Sequence, residues 1–484
     1  MAPGLVVIRG DRRGRRVKVG CPGVGTVKDA GTGGEPGYGA GNFHSLWSLM
    51  RFHRLSDWLV WQEGLHHKAI DPGLERIGRV AARLGIVGGL PFPVISVAGT
   101  NGKGSCVALL ESIFQAAGYR VGAYTSPYLL RYNERIRMMG REPTDEVLMS
   151  AFDEVDRARG DTTLTYFEFG TLAAMVLLGH AAPDVAILEV GMGGRLDAVN
   201  LLDADLALVA TVGIDHVKWL GHDREAIGRE KAGIFRSGRP AVCGDLDAPV
   251  SLVEHARAIG APLYRQGKDF GFSRDGEGWR WTDGACVYQG LPKPRLIGEH
   301  QLQNAATVLM ALRLMRERLP VSEDALRRGL GAARLPGRFG VFQGADGVTE
   351  ILDVAHNREA ARALARTLEA HPCEGRTLAV FAILADKDVE AVLRPMWRLV
   401  DAWYVSDLPV PRGGTAGEIV SVMSRIATDV WVVCAGTVRE AYEVARRAAM
   451  PGDRVVVFGS FYTVSDVLAL VEWSNGGAGD DGDG

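Results

Sequence analysis

The run Gly99-Thr-Asn-Gly-Lys-Gly-Ser105 sets three glycines, a lysine and two hydroxyls side by side. It follows an apolar, β-branched segment, Val94–Ala98, which reads as a buried parallel strand. After it, apolar residues fall on one helical face at Val107, Leu110, Ile113, Phe114 and Ala117, and Gly118 ends the pattern. Strand, glycine loop and helix in that order make an anion site: backbone N–H groups at the helix start point at a phosphate, and Lys103 adds a mobile positive charge. The strict P-loop spacing is not met, because Gly104 stands between Lys103 and Ser105 and the first glycine comes too close. The stretch reads as a nucleotide-phosphate loop of a variant type.

Other residues carry chemistry at the ends of predicted elements. Glu189 and His216 end or follow strands, and with the hydroxyl of Ser126 they form a donor set for Mg²⁺, which prefers hard oxygen ligands. Imidazole is a less usual ligand for that ion, and a lone histidine is more often structural. Lys231 lies on a helical stretch, Asp223–Phe235, where the ordinary reading is a surface lysine paired with Glu230 or Glu225. Thr165 and Glu168 have capping-box spacing, which leaves Tyr166 and Phe167 free to stack on a flat ring. Arg338, in Leu335-Pro-Gly-Arg, stands at a domain junction and suits a phosphate in a cleft. Asp353 ends a strand, either as a turn or cap residue or facing a nucleotide. Asp71-Pro72-Gly73 is by spacing alone ordinary turn chemistry.

The elements that must position these groups alternate. Beyond the loop helix, strand-like runs recur at 120–124, 184–190, 206–212 and 239–243, separated by helical stretches at 145–158, 165–180 and 223–235. This predicts an α/β fold: a P-loop-type ATPase domain whose parallel sheet carries helices on both faces, with its ligands at the carboxyl ends of the strands. Residues 244–297, with Trp279 and Trp281, read as an antiparallel appendage, followed by a helix over 303–319. The Gly- and Pro-containing stretch 329–340 marks the domain boundary. Alternation then resumes in a smaller Rossmann-like domain, with strands at 350–354, 377–381, 402–405, 431–434 and 454–458. The expected division is a leader over 1–49, an ATP-binding domain over 50–337, a C-terminal α/β domain over 338–473 and a disordered tail over 474–484. The leader is Gly-rich and basic, without helical or strand period, and cannot bury enough apolar surface to offset ordering entropy.

With 484 residues, 47% hydrophobic and 23% charged, the chain has room for two ordinary domains of globular type. A net charge of −3 offers no nucleic-acid or membrane surface at the level of the whole chain. No apolar run has the length of a membrane span, and nothing has the shape of a secretory signal. The six cysteines are scattered without a C-x-x-C pair, which suits free thiols in a reducing cytoplasm.

Together these runs resemble the bacterial folylpolyglutamate synthase/dihydrofolate synthase family of the Mur-ligase superfamily. The resemblance runs from about Leu55 to Val471 and rests on ordered matches. These are Gly99-Thr-Asn-Gly-Lys-Gly, Ser126-Pro, Leu164-Thr-Tyr-Phe-Glu-Phe-Gly, Leu188-Glu-Val-Gly-Met-Gly-Gly-Arg-Leu-Asp197, Asp215-His, Gly228-Arg-Glu-Lys-Ala-Gly-Ile-Phe, His300-Gln-Leu-Gln-Asn304, Leu335-Pro-Gly-Arg-Phe, Asp353-Val-Ala-His-Asn and Asp386-Lys-Asp. It implies ATP-dependent ligation of L-glutamate to dihydropteroate or reduced folates through an acyl phosphate, with two Mg²⁺ ions. Carried over by position, it implies that Thr100, Asn101, Gly102, Lys103, Gly104, Ser105, Asn304, Arg338 and Asp353 hold ATP. Ser126, Glu189 and His216 correspond to metal ligands, and Lys231 to the lysine that the family carbamylates, which converts a cation into an anionic oxygen ligand. Lys103, His216 and Lys231 would then be the catalytic residues. Asp71, Pro72 and Gly73, with Thr165, Tyr166, Phe167, Glu168, Leu196, Asp197 and Ala198, match the substrate-binding segments. A cytoplasmic monomer is expected, with no nucleic-acid or membrane partner.

Four positions depart from the family pattern: Tyr128 replaces a histidine, Val199 and Val217 replace threonines, and Arg358 stands where proline is frequent. None removes an implied ligand. A Mur-type ligase acting on a nucleotide-linked cell-wall precursor would need an N-terminal nucleotide domain, which residues 1–49 do not resemble. A silent ATP-binding regulator would not need Lys103, Glu189, His216 and Lys231 together.

Overall fold

The computed structural model describes residues 6–8, 50–86, 88–427 and 431–475. A short strand, β1 (Val6–Ile8), comes first in the chain. The first large sheet takes β2 (Val94–Ala98), β3 (Val121–Tyr124), β4 (Ile136–Met138), β5 (Val185–Glu189), β6 (Leu206–Val209), β7 (Ala241–Cys243) and β8 (Leu263–Arg265). Their spatial order is β4-β3-β5-β2-β6-β7-β8, parallel throughout except where β4 runs against β3. Every residue of β2, β3, β5 and β6 is buried, as expected of strands covered on both faces. One face packs against Trp58, Phe152, Phe169 and Leu172, the other against Leu110, Phe114, Leu309 and Trp281. The helix Lys103–Ala116 is buried along most of its length, because the helices Glu299–Met315 and Glu323–Ala332 cover its outer side.

The expected antiparallel appendage is confined to β9 (Gly271–Asp275), β10 (Gly278–Thr282) and β11 (Val287–Leu291). The residues before it form the helix Val250–Ile259, which buries Leu252 and Ala256 one turn apart, and β8, which continues the parallel sheet. Trp279 and Trp281 are fully buried, and their indole N–H groups donate to the carbonyls of Pro292 (2.9 Å) and Ala306 (3.0 Å). The helix expected over 303–319 begins a turn earlier, at Glu299, behind Gly298.

The second sheet comprises β12 (Gly340–Gln343), β13 (Thr349–Asp353), β14 (Thr377–Phe381), β15 (Ala402–Ser406), β16 (Val432–Ala435) and β17 (Arg454–Phe458). Its order is β1-β16-β15-β14-β17-β13-β12, with a parallel core and antiparallel edges. The helices Ala416–Ile426 and Phe461–Asn475 of this half, like Glu323–Ala332 before it, are not among those expected from the sequence. The leader was read as lacking strand period, yet Val6–Ile8 pairs antiparallel with β16. Three residues are too few to show a period, and the edge of β16 supplies their partners. The rest of the leader, and the tail beyond Asn475, lie outside the described residues. No helix among the described residues is long and apolar enough to cross a membrane.

Candidate active site

The carboxyl ends of β2, β3, β5 and β6 face those of β13, β14 and β17 across a cavity of about 1180 Å³. At the end of β2 the chain turns through Gly102, which adopts φ +85°. A side chain there would also strike the amide of Asn304, 2.5 Å from its Oδ1, so backbone and Asn304 come together only over glycine. Lys103 opens the loop helix, and its ammonium donates to the Gly99 carbonyl at 3.1 Å while it lines the cavity. The Thr100 hydroxyl and backbone tie the loop to the segment after β6: Thr100 N–H donates to Thr211 O (2.8 Å) and Thr100 Oγ1 exchanges hydrogen bonds with Gly213. The loop is therefore held open from behind rather than by its own collapse.

Glu189 ends β5 in full burial, with Oε2 accepting the backbone N–H of Ser126 at 3.2 Å. Burial raises its pKa, and the Lys103 ammonium opposes that rise. His216 follows β6 in the left-handed region, φ +51°, at the start of the short helix Val217–Leu220. Burial pushes its imidazole down to about 4, so at neutral pH its nitrogen lone pair is available as a ligand. Lys231 is 3% exposed. Burial and the Lys103 ammonium bring it down to about 7. The surface-pair reading fails for it: Glu230 pairs with Arg195, and Glu225 accepts the N–H groups of Val250 and Ser251. Carboxylate, imidazole and hydroxyl are hard or borderline donors that fit a divalent cation. No group of three His, Cys, Asp or Glu side chains converges on one point among the described residues, so nucleotide phosphates, water and a modified Lys231 would have to complete the shell.

The second domain contributes Arg338 and Asp353. The Arg338 guanidinium lies 5.3 Å over the Phe461 ring, and burial lowers its pKa. Asp353 accepts the N–H groups of Phe339 (2.9 Å) and Ala355 (2.8 Å), so it caps the turn and lines the cavity at once. Asn304 donates to Gln301 (3.0 Å) beneath the loop.

At the other end of the cavity, Thr165 and Glu168 form the expected capping box, 3.2 Å and 2.8 Å, worth roughly 1 kcal/mol to the helix Tyr166–Ala181. Glu168 also takes a bidentate bond from Arg76, whose other side holds Asp71 at 2.6 Å. Asp71 is thus more than a turn residue: His66, Lys68 and Arg76 all donate to its carboxylate and hold it well below the usual carboxylate range. Phe167 packs against Gly191, where an added methyl would sit 2.5 Å from the ring. Asp197 spends its carboxylate on the N–H groups of Met192 (2.8 Å) and Val199 (3.0 Å), fixing the Leu196–Ala198 wall. All the residues expected to hold ATP, metal or substrate border this one cavity, as does Tyr128, whereas Val199, Val217 and Arg358 do not line it.

Comparison with known proteins decides the lineage. The Mur ligase middle domain matches residues 97–251, and the Mur ligase glutamate ligase domain matches residues 337–461. The dihydrofolate synthase/folylpolyglutamate synthase of Escherichia coli is 45% identical over 418 residues, 86% of this chain and 96% of its own. The chain belongs to the dihydrofolate synthase/folylpolyglutamate synthase family. The Haemophilus influenzae member is 39% identical over 434 residues, 86% of this chain and 98% of its own. Among solved members, E. coli FolC in complex with DHPP and ADP superposes with a TM-score of 0.82 at 44% identity, covering 87% of this chain and 99% of that one. A Yersinia pestis bifunctional synthase complexed with AMPPNP and Mn ion gives 0.80 at 44% identity, covering 87% and 98%. As a member of the family the chain is an ATP-dependent, glutamate-adding ligase of folate metabolism that uses a divalent metal.

The sequence gives no role to Asp215, Asn357 or Lys387, which join the two halves. Asp215 takes bonds from Lys387 (2.6 Å) and Asn357 (3.2 Å), and Asn357 also exchanges bonds with Asn101 (3.2 and 3.0 Å). The runs Asp215-His and Asp386-Lys-Asp were visible, but nothing in the sequence says that they meet. Arg135 was likewise missed, being one arginine among many.

Proposed function

We propose that this chain is bifunctional, adding L-glutamate to dihydropteroate and extending reduced folates through one acyl-phosphate route. The observation that carries it is the single cavity with Lys103, Glu189, His216, Lys231 and Arg338 at one end and Tyr166, Phe167 and Asp71 at the other. A flat ring stacks on Phe167 while its carboxylate reaches the phosphate loop. That carboxylate oxygen bonds to the γ-phosphorus as the bond to ADP breaks. The glutamate amine then attacks the acyl carbon, loses a proton, and phosphate leaves. Lys103 and Arg338 stabilise the charge on the transferred phosphoryl group, and fixed positioning does most of the rest. Thr100 and Asn101, tied to Thr211 through their own N–H groups, shape the loop from which Gly102, Gly104 and Ser105 offer N–H groups to the phosphates, and Asn304 and Asp353 complete the nucleotide site. Ser126, Glu189, His216 and carbamylated Lys231 would hold Mg²⁺, two ions in this reading, and the metal when bound neutralises phosphate charge. The neutral amine that burial favours at Lys231 is the form that reacts with CO₂.

Residues 50–337 act in this reading as the ATPase half and 338–473 as the closing half, in a cytoplasmic monomer without nucleic-acid or membrane partners. The test is glutamate incorporation with ATP and either dihydropteroate or tetrahydrofolate. Turnover with both supports the reading, and turnover with tetrahydrofolate alone leaves a monofunctional folylpolyglutamate synthase.

A further inference from the structure

Arg135 is a buried cation without a counter-charge. It is 4% exposed, and no ion pair joins it to a carboxylate among the described residues. Its Nη2 donates to the Tyr124 hydroxyl at 3.1 Å, and its Nε–H has no partner. Four rings surround the guanidinium carbon, with centroids at 5.1 Å (Tyr132), 5.5 Å (Tyr124 and Phe167) and 6.0 Å (Tyr166). Burial pushes the phenol pKa values of Tyr124, Tyr132 and Tyr166 up, so these rings are neutral and supply no charge.

The four rings offset part of the cost of taking the cation out of water. They do nothing for the buried Nε–H, which stays without an acceptor. Yet the residue is held firmly. Its carbonyl accepts Thr125 N–H at 2.7 Å, next to Ser126, and its chain continues into β4. The guanidinium borders the cavity beside Tyr166 and Phe167, the ring-stacking wall.

We infer that Arg135 receives a carboxylate of the acyl substrate, pairing with it at the junction between the ring pocket and the phosphate end of the cavity. An aromatic acid has the two features this corner can meet: a flat ring for Phe167 and Tyr166, and an anion for an arginine that lacks one. This rests on the folate-ligase reading above, and it makes Arg135 a residue that selects for the free acid.

The test is a chemical cycle read by ligand binding without ATP or metal. Dihydropteroate and its carboxamide are titrated into the unmutated protein and into Arg135→Gln, with melting temperature measured for each. The unmutated protein should prefer the acid by about tenfold or more. Arg135→Gln should bind the acid no better than the amide, with affinity for the amide little changed. A second pair, tetrahydrofolate and its α-carboxamide, tells whether the carboxylate recognised is that of the benzoate or of a glutamate already attached. Preference in either pair that vanishes with Arg135→Gln supports the role. Equal loss for acid and amide would show a wall residue and overturn it. If Arg135→Gln does not fold, the unmutated protein decides: acid and amide bound alike in both pairs overturn the proposal. A protein that ligates glutamate but shows no such preference overturns the role of Arg135 alone. One that ligates nothing overturns the reading beneath it too.

Discussion

Asp215 and Lys387 form an ion pair of 2.6 Å between the two domains, with side chains 9% and 8% exposed. Asp215 precedes His216 at the end of the first sheet, and Lys387 follows β14 in the second, so the pair ties the two sheets together beside the cavity. Burial would raise the Asp215 pKa, but the hydrogen bond from His356 and the charge of Lys387 outweigh it and hold the carboxylate below its usual range. An acid held low contributes stability above its unfolded pKa and loses it only as pH falls through the folded value, so the pair stays intact at neutral pH. Breaking a buried pair from one side costs about 3–5 kcal/mol. Lys387→Met should therefore open the cleft, seen as a larger radius of gyration by small-angle scattering, and cut turnover at least tenfold. An unchanged radius together with normal turnover would show that the pair does not hold the two sheets together.

Lys231→Ala should nearly abolish glutamate ligation while ADP binding through the phosphate loop survives within a few-fold. Short carboxylic acids added to the variant should restore part of the activity by standing in for the carbamate oxygen. Full activity in the alanine variant refutes the role of Lys231.

Asp71→Ala should damage the dihydropteroate reaction far more than folate extension, since a site built around hydrogen bonds discriminates strongly once one partner is lost. Its carboxylate also anchors Arg76 and His66, so the comparison needs a control. Thr163 bonds to the far side of His66, and Thr163→Ala loosens the cluster while sparing Asp71. Equal losses for both substrates in Asp71→Ala would mean that the residue only shapes the turn.

His300 lines the cavity and accepts a hydrogen bond from the Gln301 amide at 3.0 Å. Burial, with the nearby charges of Arg338 and Arg366, pushes it down to about 4. A base held low binds fewer protons folded than unfolded between pH 4 and 6.5, so stability should rise with pH across that window, by up to roughly 3 kcal/mol. Melting curves of His300→Gln should be flatter over the same range. A slope identical to that of the unmutated protein would assign the effect to other groups.

A chain beginning at Met50 should keep its activity. β1 adds to β16 at the sheet edge opposite β13 and β17, which carry Asp353 and the turn at Ser460. Losing an edge strand of three residues should lower the melting temperature by a few degrees at most. A large fall in melting temperature or turnover would show that residues 1–49 are needed for stability or activity.

The sequence by itself determined the main alternation of strands and helices and the motifs that line the cavity. Val94–Ala98 and its glycine loop are local: four apolar residues in a run of five, followed by three glycines, specify strand, turn and helix start. The Thr165–Glu168 box is read at fixed spacing for the same reason. Runs such as Asp353-Val-Ala-His-Asn are also contiguous, so a family resemblance could find them. Tertiary structure alone decided which charges meet. Asp215 and Lys387 are separated by 172 positions, and only the facing of two parallel sheets brings them to hydrogen-bond distance. Lys231 looked like a surface lysine because its neighbours in sequence are glutamates, and packing turned those outward to Arg195 and to the helix Val250–Ile259. Arg135 shows no signal in sequence, since its meaning lies in rings brought together from its own turn, β3 and the helix Tyr166–Ala181, and in a counter-charge absent among the described residues. Propensity and spacing act over one or two turns; burial, and the cost of a charge inside it, exist only once the layers have closed.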